Sequence, residues 1–121
     1  HYWNVQLTRK ASKEEVLKAF SKSTRISLIN YTDGLSSNNT IKELMLAMGR
    51  PYGDMYEVAL WQDMLQVVDD ELFYAYVVDN QAIVIPETID AIRALTGIEK
   101  NADSSIRKTN KSLGLKRSFG N

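Results

Sequence analysis

The sequence predicts an α+β fold: a mixed, largely antiparallel sheet covered by helices, with further helices at the C-terminal end. Three observations carry this reading. Apolar residues alternate with period two in some stretches and recur at helical spacing in others, so strands and helices share one chain. The elements run β-α-β-α-β-β-β-α-α, an order that mixes hairpins with helices rather than repeating βαβ units. The length of 121 residues, with 44% apolar and 25% charged side chains, is about one domain of ordinary globular composition.

Residues 2–8 alternate, with Trp3, Val5 and Leu7 on one face and Asn4 and Gln6 on the other, as a half-buried strand does. Ser12 and Glu15 form a capping box that opens a helix with Val16, Leu17 and Phe20 as its apolar stripe. Residues 25–31 read as a strand and Asp33-Gly34 as a turn. A second helix over 40–48 turns Ile41, Leu44, Met45 and Met48 inward and stops at Gly49. Strands follow at 56–61 and 65–68, and the pair Asp69-Asp70 turns the chain into a strong strand over 71–78. Pro86 at a first helical position starts a helix through Leu95, ended by Gly97. A last helix covers about 103–113 and ends at Gly114.

Fifteen basic and fifteen acidic side chains cancel, so net charge gives no case for nucleic acid. The distribution is uneven: 8 basic and 4 acidic groups in residues 1–53, 2 and 11 in 54–103, and 5 and none in 104–121. That basic tail could meet phosphate or RNA, but it carries one aromatic, Phe119, and no stacking platform. A solvated last helix with cations near its C-terminus explains it better. No cysteine is present, which excludes disulfides, thiolate metal sites and a Cys nucleophile from these residues. The six glycines are scattered at turns and helix ends, so no phosphate-cradling loop exists here. One His and dispersed acids make no metal site, and Asp69, Asp70 and Glu71 read as a solvated hairpin turn. The sequon Asn38-Asn39-Thr40 has no secretory signal to give it meaning. No apolar run approaches the roughly 18 residues needed to cross a bilayer.

His1 is the lone imidazole. A terminal His is ordinarily a surface residue, but this one falls in phase with Trp3, Val5 and Leu7, where an apolar wall can hold it at a strand's end. An imidazole with a near-neutral pKa is suited to accepting and returning a proton. The chain also opens on His1 and not on Met, which leads us to expect a piece of something longer.

A series of short stretches closely resembles the C-terminal part of archaeal-type glyceraldehyde-3-phosphate dehydrogenase. They are Thr24-Arg25 before an apolar strand, Asp33-Gly34-Leu35-Ser36-Ser37, Gly49-Arg50-Pro51 with Asp54, and Tyr56-Glu57-Val58 leading to Trp61. Val67-Val68-Asp69, Glu71-Leu72-Phe73-Tyr74, Val84-Ile85-Pro86-Glu87 and Ile89-Asp90-Ala91-Ile92-Arg93-Ala94 follow. Ser105-Ile106, Lys108-Thr109-Asn110-Lys111 and Leu113-Gly114 complete the series, in order and almost without gaps from His1 to about Leu115.

The resemblance implies an enzyme with an N-terminal Rossmann domain and a catalytic domain on a mixed, largely antiparallel sheet. A cysteine thiolate attacks glyceraldehyde 3-phosphate, hydride passes to NAD or NADP, and inorganic phosphate cleaves the thioester to 1,3-bisphosphoglycerate. Such chemistry needs a base near the sulfur. By the resemblance, His1 looks like that general base, and Asn80 like the amide that approaches the nicotinamide carboxamide. Many members read His-Gln-Glu-Ser where this chain reads Asp79-Asn80-Gln81-Ala82, so Asp79 and Gln81 inherit no role and a strand-ending turn explains them equally well.

On this reading residues 1–96 are the C-terminal part of the catalytic domain and 97–121 its C-terminal helix and basic tail. The Rossmann domain, the Cys nucleophile and most phosphate contacts would lie in an upstream portion, in the same or a separate chain, so these residues alone are expected to be inactive. The expected partners are that portion, a small phosphorylated substrate and further copies in a homotetramer, with neither nucleic acid nor membrane among them, in the cytoplasm. Trp61, Phe73, Tyr74 and Tyr76 are expected to be exposed at a subunit interface. The competing readings are a non-catalytic assembly or binding module derived from the same domain, and an RNA module using the tail. The unbroken apolar patterning argues against a decayed relic.

Overall fold

Apolar side chains project from both faces of the sheet, and one helix packs on each face to cover them. The computed structural model describes residues 1–119. Its elements are β1 (Tyr2–Gln6), α1 (Lys13–Phe20), β2 (Ile26–Ile29), α2 (Asn38–Ala47), β3 (Val58–Trp61), β4 (Gln66–Val68), β5 (Glu71–Val77), α3 (Val84–Thr96) and α4 (Ala102–Leu113). Short 3-10 turns cover Tyr31–Asp33 and Pro51–Gly53. The fold class is α+β, as expected.

The sheet order is β1-β5-β3-β2, with β4 beside β5 next to β3. β1, β3 and β4 each run antiparallel to β5, and β2 runs parallel to β3. β5 is therefore the central strand, flanked by β1 on one side and by β3 and β4 in succession on the other. The turn from β4 into β5 is the expected Asp69-Asp70 pair, with Asp69 in the left-handed region at φ 54°. An Asp tolerates that conformation better than most side chains.

Period-two alternation sorts the strand residues. Leu60 and Leu72 face one way and pack with Val16 of α1, together with Leu17, Phe20, Tyr74 and Tyr76. Ala59, Trp61 and Ala75 face the other way, against Ile41 and Met45 of α2 and against Phe119. Ile41, Met45, Leu60 and Leu65 are all but fully buried, each contributing about 1.5–3 kcal/mol.

The capping boxes work as the residues suggest: Ser12 with Glu15 opens α1, and Ser37 with Thr40 opens α2 two residues before the expected start. Gly97 and Gly114 end α3 and α4 in the left-handed conformation. Gly53 is needed for a different reason. A β-carbon there would stand 2.8 Å from Lys42 Cγ and 3.2 Å from Lys42 O, so only glycine lets this turn approach α2.

Two expectations are corrected. Helix α3 begins at Val84, so Pro86 is its third residue and not its first; first-turn amides have no helical partner, and proline fits any of those positions. Trp61 is not exposed. It is 9% accessible, and its Nε1 donates to Leu35 O at 2.6 Å because the 31–35 turn folds over it. Phe73, Tyr74 and Tyr76 are half-buried, and the exposed aromatics at this end of the sheet are Tyr2 and Trp3.

Candidate functional site

The antiparallel register of β1 on β5 pairs Tyr2 with Ala75 and so puts His1 opposite Tyr76. Two main-chain bonds lock this end: His1 N donates to Tyr76 O at 2.9 Å and Tyr76 N donates to His1 O at 3.0 Å. The imidazole stacks on the Tyr76 ring, with centroids 5.0 Å apart and planes 16° from parallel. Trp3, two residues along the same face, donates from Nε1 to the Tyr76 hydroxyl at 3.1 Å. Behind Tyr76 lie Tyr74, at 6.0 Å, and then Phe20 of α1, at 5.4 Å from Tyr74. Burial pushes the Tyr74 hydroxyl above its usual range, and the Tyr76 hydroxyl beside it adds to the effect. Among the described residues the imidazole makes no hydrogen bond and no ion pair, so its edge remains open to a substrate or water.

Asn80 lies three residues beyond β5, at the end of the sheet where His1 precedes β1. The turn there is built by its neighbour. Asp79 Oδ1 accepts from Gln81 N at 3.0 Å and Ala82 N at 3.1 Å, and Asp79 O accepts from Ile83 N at 2.8 Å, leading into α3. Asp79 thus has a structural role. The Asn80 amide is exposed and makes no hydrogen bond among the described residues. A narrow cleft of about 110 Å³ runs beside this turn, between Val77 and Asp79 on one side and Asn38, Ile41 and Lys42 of α2 on the other. One free amide can hold a carboxamide; nothing described here forms a pyrophosphate cradle.

Two polar clusters lie away from this end. Arg50 and Glu57, 7% and 0% accessible, form a double hydrogen bond with both distances 2.6 Å. Glu57 also accepts from Lys116 N at 2.7 Å, and Arg50 donates to Gly114 O at 3.0 Å. Asp90 of α3 is the centre of the second cluster. It accepts from Ser105 Oγ at 2.6 Å and Thr109 Oγ1 at 2.7 Å on α4, and from Arg25 before β2. Arg25 also pairs with Glu87 and donates from Nε to Asn110 at 3.0 Å. Burial pushes the Asp90 carboxyl up, but the Ser105, Thr109 and Arg25 bonds outweigh it and hold it below the usual carboxylate range.

Sequence reasoning placed His1 on the Trp3 face but missed Tyr76 as its neighbour. Only strand pairing reveals that contact, since 75 residues separate the two.

Against curated proteins, the chain is 35% identical over 115 residues to a glyceraldehyde-3-phosphate dehydrogenase of Methanobrevibacter smithii. It is 36% identical to glyceraldehyde-3-phosphate dehydrogenase 2 of Methanosarcina barkeri and 41% to the Picrophilus torridus protein of that name, each over 115 residues. These matches cover 95% of this chain but 34%, 33% and 33% of the relatives. The chain is thus similar to archaeal glyceraldehyde-3-phosphate dehydrogenases over nearly all of its own length. It spans about a third of the length of the curated relatives it matches. No protein-family model matches it.

Within the resembling stretches, Thr24-Arg25, Arg50, Glu57, Trp61, Glu87, Asp90, Thr109-Asn110 and Gly114 belong to the two polar clusters and the Trp61 tie. These shared residues hold the scaffold together.

Proposed function

We propose that this chain supplies the C-terminal part of the catalytic domain of an NAD- or NADP-dependent phosphorylating glyceraldehyde-3-phosphate dehydrogenase. In this reading, residues 1–96 complete the catalytic domain and 97–121 form its terminal helix and tail. An upstream portion contributes the Rossmann domain and the cysteine, and the assembly is a cytoplasmic homotetramer. The observation that carries the reading is the continuous similarity to these dehydrogenases over 95% of the chain.

His1 is the general base. Its imidazole first draws the proton from the attacking thiol, raising nucleophilicity. It returns that proton to the carbonyl oxygen as the thiohemiacetal forms, and takes it back from the hydroxyl as the carbon–oxygen double bond of the thioester develops. Bound NAD or NADP supplies the hydride acceptor. Asn80, with an unpaired amide on an exposed turn, would hold the nicotinamide carboxamide and so fix which ring face meets the substrate. Lacking a cysteine, the chain alone is inactive.

The test joins the chain to an upstream Rossmann and nucleophile portion, its own or that of the Methanobrevibacter smithii relative, and follows NAD(P)H formation with phosphate present. Activity should appear in the joined protein and be absent from the 121 residues alone. His1→Ala should lower kcat about 10²–10⁴-fold with cofactor affinity largely kept; unchanged turnover removes His1 from the role. Asn80→Ala should instead raise the KM for the cofactor. A non-catalytic assembly module is the second reading, favoured by the structural use of Asp79 in place of the commoner histidine. It is the answer if the joined protein assembles without activity.

A further inference from the structure

We propose that Tyr76 is the positioning residue of His1, holding the imidazole by its flat face so that both ring nitrogens stay free for proton transfer. The proposal rests on the reading of His1 as the base. A catalytic histidine is ordinarily oriented by a carboxylate or carbonyl that engages one ring nitrogen. Here, among the described residues, no such group touches the imidazole. What touches it is the Tyr76 ring, at 5.0 Å and 16° from parallel, within the range of a favourable stacked pair.

The stack is held at every joint. Reciprocal main-chain bonds of 2.9 and 3.0 Å fix the two residues against each other across the strands. The Tyr76 hydroxyl accepts from Trp3 Nε1 at 3.1 Å, which stops the phenol from swinging. Tyr74 and Phe20 continue the row of rings back to α1, so helix packing sets where the imidazole lies. Trp3 reaches Tyr76 diagonally, the longer of the two cross-strand contacts and one that needs an aromatic to span it.

The same stack favours the charged form. The face of a phenol ring is electron-rich and attracts a cation above it, so proton uptake by His1 is assisted. The titratable groups around the imidazole are the His1 amino group, the Tyr76 hydroxyl and, behind it, the Tyr74 hydroxyl; among the described residues no carboxylate or further cation bonds to it. Removing the ring should therefore lower the His1 pKa.

Three measurements decide the matter. In the 121-residue chain, NMR should show cross-peaks between the His1 and Tyr76 rings, and their absence overturns the proposal. Titration of the imidazole by NMR should give a pKa lower by about half a unit in Tyr76→Leu and little changed in Tyr76→Phe, which keeps the ring. Trp3→Phe, which cuts only the hydroxyl tie, serves if Tyr76→Leu does not fold; it should weaken the ring cross-peaks, and undiminished cross-peaks overturn the anchoring role. In the joined enzyme, Tyr76→Leu should lower kcat about tenfold at constant cofactor KM and shift the acid limb of the pH profile as the NMR pKa shifts. An unchanged pKa and kcat overturn the positioning role. An altered pKa in Tyr76→Leu, with His1→Ala fully active, keeps the stack and discards the base.

Discussion

The two outer edges of the sheet are finished in opposite ways. Along β2, the C-terminal segment lies against the strand: Leu28 N donates to Arg117 O at 3.3 Å, and buried Ser27 donates from Oγ to Lys116 O. That segment is itself fixed by Lys116 N on Glu57, by Gly114 O on Arg50, and by Phe119 in the core. Along β1, four of five residues are exposed, and the strand has no outer neighbour among the described residues. Because main-chain pairing alternates along an antiparallel strand, the amides of Tyr2, Asn4 and Gln6 point away from β5. An unpaired edge is a template for another strand. The chain closes one edge with its own tail and leaves open the one that carries His1.

The largest effect should come from breaking the closed edge at its root. Glu57→Ala leaves Arg50 buried and uncompensated, and should cost about 3–5 kcal/mol in urea unfolding. A cost below 1 kcal/mol would mean that the tail is held by other bonds. Ser27→Ala is smaller, about 1–3 kcal/mol, since it strips one bond from the buried edge. It also sharpens the contrast: amide exchange at Leu28 should accelerate, while Tyr2, Asn4 and Gln6 exchange fast with or without the substitution. Slow exchange at those three would show that β1 is covered.

The smallest effect concerns neither edge and serves as a reference. Bonds from Lys108, Ser104 and the Asn101 amide hold the Glu99 carboxyl at about 2, below an ordinary 4.5. A depressed carboxyl contributes its stability above the unfolded value and loses it as pH falls toward the folded one. The α3–α4 pair should therefore loosen between pH about 4.5 and 2, seen as lost helical signal. In Glu99→Gln that part of the acid transition should flatten; a transition of unchanged shape would assign it to other carboxylates, such as Asp90, which is also lowered.

Elements whose signals are local were legible from the residues. Ser12 with Glu15 marks a helix start by itself, Gly97 and Gly114 mark helix ends, and Asp69-Asp70 marks a hairpin. What could not be read is what depends on distant partners. Arg50 and Glu57 could be quoted as part of a familiar pattern, yet seven residues of separation give no hint that both are buried and paired. Trp61 looked exposed because the cover over it comes from Leu35, on the far side of α2 in sequence. For the candidate site, the phase of His1 with Trp3 was visible within one strand, whereas its stack on Tyr76 required the register of β1 on β5.

The way the tail closes β2 also sets a schedule for synthesis. Domains assemble as their chain emerges from the ribosome, but Glu57 waits for the Lys116 amide and Arg50 for the Gly114 carbonyl. Both charges must idle with water or with each other until residues 114–116 clear the exit tunnel. Phe119, the last described residue, then fills its place against Met45 and Trp61. Nascent chains stalled before residue 114 should thus remain open to proteases and chaperones, and should become protected once residues 114–119 have emerged.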